Sequence, residues 1–333
     1  MPEFAEGPAL QLDQVTKRFG AFTAVDELSF EVGKGEIFGF LGPNGAGKTT
    51  TLRIILDIIP QTSGAVSILG APWREELRRR IGYLPEERGL YRKMRAFETI
   101  AYFATLRGMS GRAAKTRAFE LLEEFGLQDF ARARNESLSK GMAQKVQLLT
   151  AVAHDPEILI LDEPFSGLDP INQSTLEELI RSLKNAGKTI VFSTHVMEHA
   201  ERLCDRFLIV AQGRKRFEGS LGEARAAFPA RLVVRTSAPA SRLTALPGVA
   251  AAHAVGDAGA ETEYRIAFKP GGDPQTFLGA AFEAGLKLSR FDTVDASLHD
   301  IFVALAGPGA AERASDAAAD GDATINELKE AAA

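Results

Sequence analysis

Apolar positions along this chain follow two alternating rhythms. Short unbroken runs, such as Ile37-Phe38-Gly39-Phe40-Leu41 and Ile158 to Leu161, have the length and character of buried strands. Thr189 to Ser193 and Val66 to Leu69 predict two more strands, and residues 10–40 read as short strands joined by turns. Between such runs the apolar residues fall three and four apart. Leu52, Ile55, Leu56 and Ile59 predict a helix that Pro60 ends. Leu176, Leu179, Ile180 and Leu183 predict another, closed by Gly187. From about Glu87 to His154 the pattern is mostly helical, with Phe119, Leu122 and Phe125 on one face and Gly126 as a stop. Phe207 to Val210, a Gln212-Gly213 turn and Lys215 to Phe217 predict a hairpin. Strands alternating with helices imply an α/β fold, a largely parallel sheet with helices on both faces. The helical stretch is then an insertion on that core.

The pattern changes near Gly219–Pro229. Beyond it come a strand (Leu232–Arg235), a weak helix, strands near Ala251–Val255 and at Tyr264–Phe268, a helix (Gln275–Ala284), a strand (Lys287–Phe291) and a helix (Leu298–Leu305). That β-α-β-β-α-β order predicts a small ferredoxin-like α+β domain. From Gly307 the chain is rich in Ala, Asp and Glu, which predicts a disordered tail. The 333 residues therefore divide into a first domain over 9–225 with its insertion at about 87–154, a small domain over 230–306 and a tail over 307–333. At roughly 150 residues per domain, two is the expected number.

Composition narrows the function. Hydrophobic residues make up 45% and charged residues 25%, a globular balance. A net charge of −5 speaks against a general nucleic-acid binder. The single cysteine, Cys204, excludes an internal disulfide, fits a reducing compartment and reads as a small core or half-buried residue. No run approaches the ~20 apolar residues that span a bilayer, and the start MPEFAEGPAL is no export signal. The expected place is the cytoplasm, and any membrane span must come from another subunit. Neither nucleic acid nor a structural metal is expected as a partner.

The chemistry is concentrated at three points. Residues 42–49 read GPNGAGKT between a predicted strand and a predicted helix, a full phosphate-binding loop. The glycines Gly42, Gly45 and Gly47, with Pro43, Asn44 and Ala46, let backbone N–H groups face phosphate oxygens, and the helix opening at Lys48-Thr49-Thr50 adds its positive end. Lys48 supplies charge to the β- and γ-phosphates and Thr49 a hydroxyl to Mg²⁺. The strand Ile158–Leu161 ends in Asp162 and Glu163, at the carboxyl edge where parallel sheets bind ligands. Asp162 suits Mg²⁺, and Glu163 suits polarising a water in line with the γ-phosphate. His195 follows the strand Thr189–Thr194 on the same edge, within reach of that phosphate or water.

Here the sequence resembles the ATP-binding cassette family, over about residues 9–220. Leu138-Ser139-Lys140-Gly141-Met142 stands where the family has its signature, Ser166-Gly167-Leu168-Asp169 looks like its D-loop, and Ser193-Thr194-His195 looks like its switch-histidine segment. Phe19 fits the aromatic that stacks on adenine, and Glu86 in Gly82-Tyr83-Leu84-Pro85-Glu86 stands at the Q-loop glutamine. The resemblance implies an ATPase whose Ser139 and Gly141 cap the nucleotide held by a second cassette. ATP then glues two cassettes together, and hydrolysis releases them. It also implies a separate transmembrane permease and a position on the inner face of the cell membrane.

Two departures matter. Lys140 either adds charge toward the partner's phosphates or faces solvent, and Glu86 either ligates Mg²⁺ or acts in coupling. GYLPEERGLY (82–91), LSKGM and Ser297-Leu298-His299-Asp300-Ile301-Phe302 resemble the NatA-type exporter cassettes with an appended small domain. The arginines from Arg74 to Arg95, with Arg78, Arg79, Arg80, Arg88 and Arg92 among them, either meet the membrane subunit or form a solvated face. The competing function is a soluble regulatory ATPase of the same family, which usually has fused cassettes, zinc cysteines or a long coiled coil. This chain has one cassette, one cysteine and no sustained heptads.

Overall fold

The computed structural model describes residues 7–87, 89–227, 231–258, 261–269 and 272–306. Arg88 and the stretch 307–333, for which a disordered tail was expected, lie outside them. The chain divides into two compact units, one up to Leu221 together with the residues from Phe302, the other Gly222–Ile301.

In the first unit the elements run β1 (Leu10–Phe19), β2 (Phe22–Val32), β3 (Ile37–Leu41), α1 (Lys48–Ile55), β4 (Ser63–Ile68), β5 (Ala71–Pro72), β6 (Ile81–Leu84), α2 (Ala96–Leu106), α3 (Gly111–Glu124), α4 (Lys140–Val152), β7 (Ile158–Asp162), α5 (Pro170–Asn185), β8 (Thr189–Thr194), α6 (Met197–Leu203), β9 (Arg206–Ala211) and β10 (Arg214–Gly219). A six-stranded sheet has the order β10-β9-β3-β8-β7-β6. Its pairings are parallel except for the β9–β10 hairpin. Its central strands β3, β7 and β8 are buried along their whole length, as their unbroken apolar runs require.

Alternation along these strands feeds two cores. Phe38, Phe40, Ile158, Ile160 and Val191 point to one face, where they meet α1 residues Leu52 and Ile55 and the second sheet, β2-β1-β4-β5. Phe30 stacks there on Phe38 and Phe40, with centroids 5.6 and 5.8 Å apart. Ile37, Leu159, Leu161, Ile190 and Phe192 point to the other face, under Ile100 of α2, Leu121 of α3, Leu148 of α4 and Leu179 of α5. The inserted helices are thus anchored through one core, while the phosphate loop grows from the strand between both. Cys204 follows α6 and lies against β3, where a Cβ on Gly39 would stand 2.6 Å from its Sγ. Burial pushes its thiol pKa up, so it behaves as a packing residue.

Helix α1 is shorter than its apolar stripe predicts. It ends at Ile55 instead of running to Pro60, because the backbone reverses at Asp57 with φ 54°. Ile58 N and Ile59 N both donate to Arg53 O, and Ile59 still packs on the core. The stripe marked what is buried, not what is helical.

The second unit contains α7 (Leu221–Ala227, from its second residue), β11 (Arg231–Thr236), α8 (Ala240–Thr244), β12 (Val249–Ala258), β13 (Glu261–Phe268), α9 (Pro274–Glu283), β14 (Arg290–Val294) and the start of α10 (Leu298–Ala306). Its sheet is antiparallel, in the order β12-β13-β11-β14. Leu232, Val234, Leu243, Ile266, Phe277 and Ala281 form its core. The last strand lies three residues later than expected from Lys287–Phe291. Leu286 and Leu288 fill the core beside α9 instead, and pairing with β11 selects Arg290–Val294.

Candidate functional site

Strand β3 ends at Leu41 and the chain turns through residues 42–47 into α1. Close packing explains two of the three glycines. A Cβ on Gly42 would stand 2.5 Å from Val210 O, and one on Gly47, at φ 100°, would stand 2.5 Å from Ala24 O. Ala46 is buried and accepts from Gly213 N at 3.1 Å, which ties the loop to the β9–β10 turn. The loop is therefore held between β2 and β9, with its open side at the N-terminus of α1. Lys48 is only 6% exposed. Its Nζ donates to Gly42 O at 2.7 Å and Pro43 O at 3.4 Å, and lies 3.4 Å from Glu163 Oε1.

The parallel register of β7 and β8 sets Asp162 opposite Ser193. Ser193 Oγ donates to Asp162 Oδ1 at 2.5 Å and accepts from Glu163 N at 3.0 Å. Thr49 Oγ1 donates to the same Asp162 oxygen at 3.4 Å. One hydroxyl thus fixes both acids. Glu163 takes φ 45°, a left-handed conformation that costs a non-glycine residue about 1–2 kcal/mol. That turn carries the carboxylate to Lys48 and to His195, whose Nδ1 lies 3.0 Å from Glu163 Oε1.

The electrostatics follow from burial. Burial raises the Asp162 pKa, against the hydrogen bonds from Ser193 and Thr49. Burial also raises Glu86, with added repulsion from Asp162 and Glu163. The hydrogen bond to Glu163 raises His195. Tyr83, beside them, is pushed up to about 12 by burial and then by Asp162. Three acidic side chains thus share the neighbourhood of Lys48 and His195. The Thr49 hydroxyl and the Asp162 carboxylate are hard oxygen donors, a set that suits Mg²⁺ when nucleotide phosphate and water complete the shell. Glu86 stands close enough to feel the charge of both acids.

The sequence-predicted residues Lys48, Thr49, Asp162, Glu163 and His195 therefore form one connected group on the carboxyl edge of the sheet. Asn44, at the crest of the loop, is exposed and Thr50 is half-buried. Phe19 is 51% exposed at the end of β1, with Lys17 Nζ 4.9 Å from its ring centroid. Ser139 and Gly141 are not joined to this group. Ser139 caps α4, accepting from Met142 N at 3.3 Å. Gly141 leaves room for Asn172, whose Oδ1 would stand 2.3 Å from a Cβ there. Lys140 is exposed but reaches over Gly167, where a Cβ would meet its Nζ at 2.3 Å. Residues 138–142 and 166–169 thus abut within one chain.

Ser193, Gln144 and Gln147 escaped sequence reasoning as individual residues. Ser193 was readable from the pairing of two parallel strands that both end at the site. The glutamines had no such signal. A separate cleft of about 760 Å³ lies between core and insertion, lined by Trp73, Arg78, Arg79, Phe103, Leu106 and Arg107 among others.

A family model described as "ABC transporter" matches residues 25–166. The ABC transporter ATP-binding protein YhaQ of Bacillus subtilis (strain 168), itself uncharacterized, is 41% identical over 299 residues, covering 90% of this chain and 98% of its own. The Nod factor export ATP-binding protein I of Paraburkholderia xenovorans (strain LB400) is 42% identical over 223 residues, 66% of this chain and 72% of its own. A solved ATP-binding subunit of an ABC transporter matches with a TM-score of 0.61 at 34% identity, covering 66% of this chain and 93% of that one.

Proposed function

We propose, from the premise that this chain belongs to the ABC transporter family as an ATP-binding subunit, that it hydrolyses Mg-ATP to drive export through a separate membrane subunit. The observation that carries the reading is the connected group Lys48–Glu163–His195, joined at Ser193 to Asp162 and Thr49. Lys48 holds the β- and γ-phosphates, and backbone N–H groups of residues 42–50 surround them. Thr49 and Asp162, with Glu86, hold Mg²⁺, which when bound with the nucleotide neutralises phosphate charge. Glu163 orients the attacking water and takes up its proton, while His195 keeps Glu163 Oε1 directed and stands beside the γ-phosphate. Phe19 stacks on the adenine.

Two chains work as a pair. Ser139 and Gly141 open a 13-residue helix and are not tied to their own phosphate loop, so they are available to cap the ATP of a second cassette. Export is supported by the similarity to the Nod factor export ATP-binding protein, and the NatA-type assignment by the GYLPEERGLY and LSKGM segments. The same reading takes 9–225 as the cassette and 230–306 as a small ferredoxin-like domain. The strand order β12-β13-β11-β14, with helices between the first and second and between the third and fourth strands, supports it. No helix among the described residues is long and apolar enough to cross a membrane. A separate membrane subunit as partner places the chain, in this reading, on the inner face of the cell membrane.

The cleft is the proposed seat for the membrane subunit. Tyr91 and Tyr102 lie exposed beside it and pack on Phe103, 6.2 and 5.7 Å away by centroid. Arg78 lies 5.2 Å from the Trp73 ring centroid, and Arg92 is exposed on the segment that follows Glu86. The double change Arg78→Glu, Arg92→Glu is expected to weaken docking by about tenfold or more, through like-charge contact, and to abolish stimulated turnover. Basal ATPase stays near wild type. ATPase rates with and without the membrane subunit in lipid, with co-purification, decide this. Unchanged docking makes these arginines a solvated face. A wild type that never co-purifies with a membrane protein sinks the transporter reading.

A further inference from the structure

Behind the contact between Glu163 and His195 the same two segments meet a second time. Phe165 comes two residues after Glu163, and His199 comes four residues after His195, within α6. Their rings stack, with centroids 4.1 Å apart and planes 19° from parallel. Both are buried, Phe165 at 4% exposure and His199 at 3%. Phe165 also meets Phe192 of β8 edge to face, at 5.9 Å and 85°. The imidazole is held at its rim as well. His199 Nδ1 lies 3.0 Å from Glu177 Oε1 in α5, so Nδ1 carries the proton and the carboxylate accepts the hydrogen bond. Arg202 Nη2 lies 2.9 Å from the same oxygen and pairs its charge. Burial lowers the His199 pKa, against the hydrogen bond to Glu177, so the ring is neutral at pH 7. Its partners Phe165, Glu177 and Arg202 all lie outside the group that faces the phosphates.

We propose that His199 is a positioning residue for hydrolysis: by stacking on Phe165, and steered by Glu177, it fixes the placement of Glu163 relative to His195. This rests on the ATPase reading above. The turn that carries Glu163 has other ties. Glu163 O accepts from Ser166 N at 3.1 Å, Phe165 O from Leu168 N at 3.2 Å and Pro164 O from Gln144 Nε2 of α4 at 3.0 Å. Gln147 of α4 serves the Glu86 loop instead, donating to Pro85 O at 3.4 Å and Glu87 O at 3.2 Å. None of these bonds reaches α6. The stack does, and it joins the segment that bears the carboxylate to the segment that bears the imidazole. Glu163 is held at φ 45°, a conformation that persists only where its surroundings enforce it. A misplacement of about 1 Å at reacting groups costs as much as about 10²-fold in rate. The phosphate cradle is built by residues 42–49, so nucleotide binding does not depend on the stack.

Full-length wild type, His199→Asn, His199→Phe and Phe165→Leu are compared in Mg-ATP affinity, KM and kcat, with thermal melting as the check of folding. Asn keeps a donor near the place of Nδ1 and removes the ring. Phe keeps a flat ring and removes the donor, while Arg202 still pairs Glu177. Phe165→Leu removes the stack from its other side, and carries the test if His199→Asn does not fold. The expected result for Asn and for Leu is kcat lower by about tenfold or more, with ATP affinity and KM within about threefold of wild type. His199→Phe should restore kcat to within about threefold. The double variant His199→Asn, Phe165→Leu should lose no more than either change alone, since both remove one contact. A residue that only fills the core would shift the melting temperature and leave kcat in place. A folded Asn or Leu variant with wild-type kcat therefore overturns the proposal, as does a Phe variant as slow as Asn, or a loss of kcat matched by an equal loss of ATP affinity. A wild type that does not hydrolyse ATP removes the ATPase reading itself, and this proposal with it.

Discussion

Glu163→Gln is expected to lower ATP turnover by about 10²–10⁴-fold, the usual range for removing a positioned general base. ATP affinity should stay within about threefold, or rise, because one of three neighbouring carboxylates loses its charge while the loop at 42–49 is untouched. The amide keeps the length of the side chain and can still accept a hydrogen bond from His195 Nδ1, now 3.0 Å from Glu163 Oε1. The 3.4 Å ion pair with Lys48 is lost, which removes the one carboxylate that competes with phosphate for Lys48 among its described partners. With hydrolysis blocked and binding intact, pairs of chains should accumulate. Size-exclusion chromatography in Mg-ATP should show more dimer than wild type, and single-turnover kinetics should show bound, unhydrolysed ATP. Near-normal hydrolysis by the variant would sink the role given to Glu163.

Lys48→Ala should do the opposite in one respect: binding falls together with turnover. Lys48 is buried among carbonyls, so its ammonium is poorly hydrated and sensitive to any anion that can reach it. A hydrogen bond to a charged group is worth about 1.5–3 kcal/mol, so ATP affinity should drop by about 10–150-fold. Turnover should fall further than affinity, because charge on the transferring phosphoryl grows toward the transition state. Calorimetric titration with Mg-ATP measures the first and steady-state kinetics the second. Unchanged affinity would mean that residues 42–49 are not the nucleotide site.

How far the sequence could be read depended on whether a feature is local. The loop at 42–49 and the strand ending in Asp162 and Glu163 are contiguous, and each carries its flanking element with it, so both were legible. The parallel sheet was legible from its buried runs, because only strands covered on both faces are apolar at every position. Failures came where pattern and backbone separate. The stripe through Ile59 packs on the core as read, but Asp57 reverses the chain before it. Leu288 drew the last strand forward, although with Leu286 it fills the core beside α9. At the site, Ser193 acts across strands, and Gln144 and Gln147 act across a helix and two loops. A glutamine in a helix looks like any solvent-facing residue until its neighbours are known.

The site is also assembled from pieces far apart in the chain. Thr49 meets Asp162 across 113 positions, and at the opposite edge of the same sheet Gly35 meets Thr189 across 154. Such closures are slow to form in a refolding polypeptide, since the entropy of a large loop is lost before the contact is gained. Nucleotide therefore finds its pocket only after the sheet has closed, and it acts on the kinetics of folding from the native side alone. Mg-ATP at 100 times its dissociation constant stabilises the native state by about 2.7 kcal/mol, and all of that should appear as slower unfolding. Stopped-flow refolding with and without Mg-ATP should give the same rate, whereas unfolding should slow by about two orders of magnitude. A refolding rate that rises with ATP would mean that the phosphate loop forms before the strands around it.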